Sequence, residues 1–180
     1  MDAPADRDLI LRVRRGEVEA FGELAGRYQQ SVFNVCYRVL QDRRDAEDLA
    51  QEALMRGYEQ LDRYDIDRPF GPWIHRVAAN LAINTLRGRK QEFELDEAEG
   101  QPEQTAFVHP EASLLQKERS ADIQAALAQL PPVYRAAIEL RHFQEMDYEQ
   151  MAAALGVPLN TARSHLYRAR RMLAEIIGTR

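Results

Sequence analysis

The sequence has one cysteine and few of the residue patterns that carry catalytic chemistry. Cys36 lies in an apolar stretch, so an internal disulfide is excluded and a small buried side chain is the simplest interpretation. The four histidines form no pair at metal-ligand spacing, and no glycine-rich phosphate loop occurs. We therefore expect a protein that is not an enzyme and that holds neither a metal nor another cofactor.

Long apolar runs are also missing. No stretch approaches the roughly 20 apolar residues that a membrane-spanning helix requires, and residues 1–6 lack the basic and then apolar layout of a signal peptide. Apolar residues still make up 45% of the 180, which is enough for one medium or two small cores. These features predict a cytoplasmic protein with no membrane insertion.

Helical periodicity dominates residues 1–90. Apolar residues recur every three or four positions from Asp8 to about Tyr64, which predicts a bundle of three helices. Two prolines and a glycine within residues 65–72 predict a loop, and a fourth helix is expected from Trp73 to Arg89. The pattern predicts an all-α domain.

Residues 91–112 have a different composition. Their acidic side chains are balanced by no Lys or Arg, and Gly100, Pro102 and Pro110 interrupt any periodicity. We interpret this stretch as an acidic flexible linker between a first domain, residues 1–90, and a second, residues 113–180. Residues 113–116 have the form of a capping box for the first helix of the second domain.

Residues 147–173 have the pattern of a helix-turn-helix. Asp147 can cap a short helix, residues 156–158 supply the turn, and Asn160 or Thr161 can cap the next helix.

The face of that second helix has the chemistry of a DNA-reading surface. Ala162, Leu166, Ala169 and Leu173 form an apolar stripe, and no acidic residue occurs in residues 160–173. Arginine can bind guanine through two hydrogen bonds, and an aromatic edge suits a phosphate or a thymine methyl group. A solvated basic face is the alternative. The side chains expected to contact duplex DNA are Thr161, Arg163, Ser164, Tyr167, Arg168 and Arg171.

Two parts of the chain together resemble a known family. Residues 147–170, with the entry Pro131–Arg135 before them, resemble region 4 of bacterial sigma factors. Asp45–Ala53 (DAEDLAQEA), followed by Trp73–Asn80 (WIHRVAAN), is similar to sigma region 2 in the correct order. The chain thus resembles the compact extracytoplasmic-function (ECF) sigma factors of the sigma-70 family, with an acidic linker where primary sigma factors carry a third domain.

This resemblance implies a function and partners. A sigma factor of this type binds core RNA polymerase, at the coiled coil of the largest subunit and at the flap, and directs it to promoters. It recognises the -35 element as duplex and the -10 element as melted DNA. The resemblance also implies an anti-sigma factor as a regulatory partner and a linker that threads the RNA-exit path; by composition alone the linker is only a tether.

Residue roles follow from the same resemblance. The acidic face of the helix from Asp45 implies a core polymerase-binding set, although solvent could equally cover that face; the set is Asp48, Gln51 and Glu52. The loop and the following helix imply a -10 surface that traps a flipped base, with stacking, base-reading and phosphate contacts. Its candidates are Tyr64, Phe70, Arg76, Asn80, Asn84, Arg87, Arg89 and Lys90. Trp73 is interpreted as a core residue, and Tyr64 has a packing role as its alternative.

Two other classes of protein could carry a helix-turn-helix. A stand-alone transcriptional regulator would explain residues 147–173, but it leaves the first domain unaccounted for and is disfavoured by the net charge of -5. A protein-interaction module would leave the arginine face without a role. Tight binding of the purified chain to duplex promoter without polymerase would favour the regulator.

Overall fold

A computed structural model describes residues 5–93 and 123–178, with side chains up to residue 88 in the first range. The first range contains α1 (Asp6–Arg14), α2 (Val18–Leu40), α3 (Arg43–Gln60), a 3-10 turn (Leu61–Arg63) and α4 (Phe70–Phe93). The second contains α5 (residues 123–128), α6 (Pro132–Ile138), a π-helical turn (Glu139–Phe143), α7 (Tyr148–Leu155) and α8 (Leu159–Gly178). All regular elements in these two ranges are helical, which confirms the predicted all-α fold.

Most of the predicted linker and the predicted capping box at residues 113–116 lie outside the described residues. Among the helices that are described, none combines the length and the apolar character needed to cross a bilayer.

The first domain packs α1, α3 and α4 around the long helix α2. Small side chains on α3, at Ala46, Ala50 and Ala53, are buried and allow α3 to lie close to its neighbours. One turn further, a Cβ atom built on Gly57 would lie 2.6 Å from Ile74 Cδ1 of α4. Helix α3 carries the predicted polymerase-binding residues and α4 carries predicted -10 residues, so this close contact fixes the position of one set relative to the other.

Helix α4 begins earlier than predicted. It starts at Phe70 rather than Trp73, so Gly71 and Pro72 lie within its first turn. Proline is tolerated there because the first backbone N–H groups of a helix have no partner within the helix. The helix also extends to Phe93, three residues past the predicted boundary of the first domain.

The second domain contains the predicted helix-turn-helix. Asp147 and Gln150 form a reciprocal capping box at the start of α7, and Gly156 ends that helix in the left-handed conformation at φ 64°. The predicted cap of α8 was wrong: the helix starts at Leu159, so Asn160 and Thr161 lie in its first turn.

The two domains pack directly against each other. Buried residues of both belong to one continuous hydrophobic cluster, and α7 contacts α4 while α6 contacts α2. At the boundary, the Arg135 guanidinium donates hydrogen bonds to the Val39 carbonyl at 2.6 and 3.2 Å, at the end of α2. Arg38 pairs there with the buried carboxylate of Glu139. The described parts of the two domains therefore form a single packed body.

Candidate nucleic-acid interfaces

One open groove, of about 660 Å³, runs along the exposed face of α8. Below it lie the buried side chains of Ala162, Leu166 and Ala169, three members of the apolar stripe expected from the sequence; Leu173, the fourth, is partly buried against the core. Tyr134 of α6 lines the groove as well, and the sequence had not singled it out; its place in the Pro131–Arg135 entry was the available signal. Five of the six predicted duplex-contacting residues line this groove: Arg163, Ser164, Tyr167, Arg168 and Arg171.

Local contacts orient several of these side chains. The Ser164 hydroxyl donates to the Asn160 carbonyl at 2.9 Å, and the Arg163 guanidinium lies 5.5 Å from the centre of the Tyr148 ring on α7. Arg171 pairs with Glu175 at 3.4 Å. Tyr167 is 68% exposed, and the sixth predicted residue, Thr161, is half-buried in the first turn of α8. The groove thus presents basic and aromatic side chains to solvent.

Two histidines flank this face of the second domain. Arg170 donates to His142 Nε2 at 3.1 and 3.2 Å, so that nitrogen is the unprotonated one. Partial burial, together with the charges of Arg170 and Arg141, lowers the pKa of His142. Partial burial and the nearby Arg168 lower the pKa of His165. Neutral imidazoles are therefore the expected forms at neutral pH.

A second groove, of about 310 Å³, lies where α3, α4 and α7 meet. Three predicted -10 residues of α4 line it: Arg76, Asn80 and Asn84. Arg56 and Gln60 of α3 line it too, and Ala153 of α7 closes one side. The sequence had not placed α3 side chains here, because their approach to α4 depends on the tertiary packing. Arg87 is exposed further along α4, and the side chains of Arg89 and Lys90 lie outside the described residues.

The structure places Tyr64 and Phe70 in the core, where the sequence had predicted residues available to stack on a base. They are 5% and 3% exposed. Their rings lie 5.7 Å apart and contact Trp73 at 4.9 and 5.4 Å, and Tyr28 of α2 contacts Phe70 at 5.2 Å. The four rings pack against one another, and the apolar area that this packing buries keeps Tyr64 and Phe70 in the core although they lie at the two ends of the loop. Tyr64 thus has the packing role considered as its alternative, and Trp73 packs against the core as expected.

The predicted polymerase-binding residues lie on the outer face of α3. Asp48 and Gln51 are exposed. Glu52 is half-buried and pairs with Arg56 at 2.6 Å, one turn later. Gln51 also lines a shallow groove between α2 and α3 together with Phe33 and Leu54. An acidic and amide face beside a partly apolar groove is suited to a basic protein partner.

His75 and Cys36 are titratable groups that lie buried away from these surfaces. His75 contacts the Ser31 hydroxyl at 2.9 Å, and burial lowers its pKa to about 4. Burial raises the pKa of Cys36 to about 12, so its thiol stays protonated at neutral pH. No cluster of metal-ligating side chains occurs within residues 5–93 and 123–178.

Comparison with protein families gives two matches in chain order. Residues 24–92 match the model described as Sigma-70 region 2. Residues 120–173 match the model described as Sigma-70, region 4. Together these two matches cover more than half of the chain.

Curated relatives align over nearly the whole chain. The ECF RNA polymerase sigma factor SigW of Bacillus subtilis is 33% identical over 174 residues, which cover 92% of this chain and 93% of SigW. The RNA polymerase sigma-H factor of Pseudomonas aeruginosa is 34% identical over 180 residues, covering 96% and 93%. The ECF RNA polymerase sigma-E factor of Escherichia coli K12 is 32% identical over 173 residues, covering 92% and 90%.

Two solved structures share the fold. The sigma factor RpoE of Bartonella quintana, in complex with the anti-sigma factor NepR, superposes with a TM-score of 0.71 at 24% identity, covering 88% of this chain and 96% of RpoE. CnrH, in complex with the cytosolic domain of CnrY, superposes with a TM-score of 0.68 at 24% identity, covering 98% and 99%.

Proposed function

The chain belongs to the sigma-70 family as an ECF sigma factor, and on this premise we propose that its two domains divide promoter recognition between them. An ECF sigma factor binds core RNA polymerase and directs it to specific promoters. In this chain residues 1–90 act as region 2, with α4 extending slightly beyond, and residues 113–180 act as region 4. The acidic stretch 91–112 joins them.

Region 4 reads the -35 element as duplex through α8. The observation that carries this assignment is the convergence of five predicted side chains, Arg163 to Arg171, in one exposed groove. A helix of this size fits the major groove, where two-pronged arginine contacts to guanine distinguish one base pair from another. Tyr134 adds an aromatic wall beside these contacts.

Region 2 reads and melts the -10 element through α4 and the loop before it. Arg76, Asn80 and Asn84 line one groove, in which amide groups can read base edges and arginine can hold a phosphate. Arg56 of α3 contributes a second cation. Because Tyr64 and Phe70 are buried, they support the loop from beneath. The exposed side chains around them make the contacts with the bases. Unpairing a base costs only a few kcal/mol, so a shaped pocket and phosphate contacts are sufficient.

Core polymerase docks on the outer face of α3. The exposed pair Asp48 and Gln51, with Glu52 beside them, offers an acidic surface to a basic partner. We place this activity in the cytoplasm, where the polymerase acts. An anti-sigma factor is the expected regulator, because RpoE of Bartonella quintana, which shares the fold, was solved with one.

In vitro transcription tests this proposal. Core polymerase is mixed with the purified chain and a library of genomic fragments, and the transcripts are sequenced. We expect promoter-specific transcripts that depend on the chain. A variant with Arg163, Arg168 and Arg171 changed to Gln serves as a control that removes -35 contacts from an exposed face.

Two outcomes would contradict the proposal. The absence of chain-dependent transcripts from every fragment is one. Tight, sequence-specific binding of duplex DNA by the chain alone, without an effect of polymerase, would instead identify a stand-alone regulator.

A further inference from the structure

Helix α1 lies across the loop of residues 64–69, which precedes α4, the helix proposed to read the -10 element. Arg7 and Arg14 are seven residues apart on α1, which places them two turns apart on one face, roughly 10 Å along the axis. Arg14 reaches the start of the loop and Arg7 reaches its tip. One helix face therefore holds the loop at two points.

Arg14 makes the denser set of contacts. Its Nη2 donates to the Leu61 carbonyl at 2.8 Å and to the Tyr64 carbonyl, and its Nε donates to the Leu61 carbonyl at 3.2 Å. The Leu61 carbonyl opens the 3-10 turn that follows α3 and also accepts the turn's own hydrogen bond from the Tyr64 N–H at 3.2 Å, and the Tyr64 carbonyl lies directly after the turn. A cation is favoured at such a helix end. The guanidinium therefore fixes the point at which the chain leaves α3 and enters the loop.

Arg7 holds the tip less firmly. It donates to the Asp67 carboxylate at 2.8 Å and to the Ile66 carbonyl at 3.5 Å, and both side chains of this ion pair are mostly exposed. Exposed pairs of this kind contribute little to stability. The contrast between the two arginines separates a tight anchor from a weak one.

Helix α1 is itself fixed to α2. Asp6 accepts hydrogen bonds from the Tyr28 phenol and from Arg27, the latter at 2.9 Å. Leu9 and Ile10 are buried beneath the helix. Between α1 and the loop lies a groove of about 300 Å³, lined by Ile10, Tyr28, Tyr64 and Phe70 among others. The position of the loop relative to the aromatic cluster therefore depends on α1.

The geometry points to Arg14 as a positioning residue that sets the shape of this loop for capture of an unpaired promoter base. The inference rests on the proposed function, because it assigns the loop to -10 recognition. Arg14 need not touch the DNA itself. Its role is to keep the Leu61 and Tyr64 carbonyls, and thus the loop backbone, in one arrangement against α4.

The test measures base discrimination by the full-length chain bound to core polymerase. A fluorescent single-stranded DNA library, randomised over ten positions, is first enriched on the wild-type holoenzyme. The enriched oligonucleotide and all of its single-base variants then serve as probes. For Arg14→Gln we expect the preference at one base position to fall about tenfold, because hydrogen bonds from a charged group contribute more than neutral ones. The preferences at other positions should persist.

Three controls separate positioning from charge and from folding. Arg15→Gln removes the same charge from an exposed neighbour and should leave all preferences unchanged. Arg14→Lys restores the charge without the forked geometry and should recover only part of the lost preference. Arg7→Gln should give a smaller loss at the same base position, and because its ion pair is exposed it keeps the test available if Arg14→Gln folds poorly.

The outcomes are distinguishable. A uniform loss over all probes, matched by Arg15→Gln, would show a general electrostatic effect and overturn the inference. Unchanged discrimination in both Arg14→Gln and Arg7→Gln would also overturn it. If the wild-type holoenzyme enriches no sequence at all, the proposed -10 function itself fails.

Discussion

Arg38 on α2 donates a hydrogen bond to the Glu139 carboxylate on the π-helical turn after α6, and this contact joins the two domains. The Glu139 side chain is fully buried and that of Arg38 is 12% exposed. Gln144 donates a second hydrogen bond to Glu139 at 2.7 Å, and the Arg38 guanidinium lies 3.7 Å from the centre of the Phe143 ring. Burial raises the pKa of Glu139, while Arg38 and Gln144 oppose that shift. The negative charge of Glu139 is therefore stabilised in its buried position mainly by Arg38.

Removal of Arg38 should destabilise the packed chain. Arg38→Met leaves a buried carboxylate without its charge partner, which typically costs about 3–5 kcal/mol. Urea unfolding followed by circular dichroism measures the change. Arg12→Met, which breaks an exposed pair with Glu17, is the matched control and should leave the unfolding curve nearly unchanged. The double variant Arg38→Met with Glu139→Leu should recover most of the loss; equal instability of single and double variants would contradict a role for the pair.

Protonation of His75 should lower the free energy of unfolding of the chain as the pH falls. Burial lowers its pKa to about 4 from the usual 6.5, so the folded state binds fewer protons than the unfolded state. The stabilising effect is complete above pH 6.5 and is lost as the pH falls toward 4; at pH 5 the loss amounts to about 2 kcal/mol. The measurement is the free energy of unfolding of wild type and His75→Gln at pH 7 and pH 5. His142→Gln, at an exposed imidazole, is the comparison and should change the pH profile less than His75→Gln. Parallel pH profiles for wild type and His75→Gln would show that His75 does not titrate as expected.

Two glycine substitutions should have opposite effects. At Gly26, in the middle of α2, an added Cβ meets nothing within 4 Å, so Gly26→Ala should raise the free energy of unfolding by about 0.5–1 kcal/mol. At Gly57 the same atom would lie 2.6 Å from buried Ile74 Cδ1, so Gly57→Ala should lower it by about 1–3 kcal/mol. Thermal or urea unfolding of the two variants side by side is sufficient. A gain in stability for Gly57→Ala would mean that Ile74 and α4 shift at little cost to accommodate the added methyl group.

Arg168 should contribute to sequence-specific contact with the -35 duplex. Arg168→Ala is expected to weaken binding of the holoenzyme to its -35 element by about 1–3 kcal/mol and to leave binding to core polymerase intact. Arg170→Ala, whose side chain contacts His142 outside the groove, is the matched control. Equal losses on native and mutated -35 sequences would show that Arg168 contacts phosphate only.

Reversal of charge at Asp48 should disrupt docking on the polymerase. Asp48→Arg places a cation on the face proposed to meet a basic partner, and like charges brought together cost several kcal/mol. We expect the variant to lose co-purification with core polymerase, while its second domain folds normally. Glu19→Arg introduces the same change of charge at an exposed site on α2 and should co-purify as wild type does. Retention of Asp48→Arg by the polymerase would move the docking surface elsewhere.

The sequence predicted the features that depend on local periodicity. The stripe of Ala162, Leu166 and Ala169 and the capping residue Asp147 lie as expected, because helical spacing and capping are encoded within a few residues. The exposed face of α8 follows directly from its buried face. The start of α4 was missed because Gly71 and Pro72 were assigned to the loop, although the first turn of a helix accommodates proline.

Features that join distant segments could not be predicted in the same way. Tyr64 and Phe70 were expected to be available to DNA, yet they pack against each other, and Phe70 packs against Tyr28, which lies more than 30 residues earlier. Arg135 and Glu139 are charged but buried, and their partners on α2 are about 100 residues away in the chain. No local pattern marks such residues, since their burial depends on how two domains meet.

While the two domains stay packed against each other, in what we call the closed form, the chain can span only a limited distance. A compact chain of 180 residues has a radius of gyration of about 16 Å, whereas elements centred about 25 base pairs apart lie roughly 85 Å apart on straight duplex DNA. The closed form can therefore engage one element at a time. Simultaneous contact with both elements requires the whole interface that contains Arg38 and Glu139 to separate, and apparent affinity for a complete promoter falls in proportion to the separated fraction.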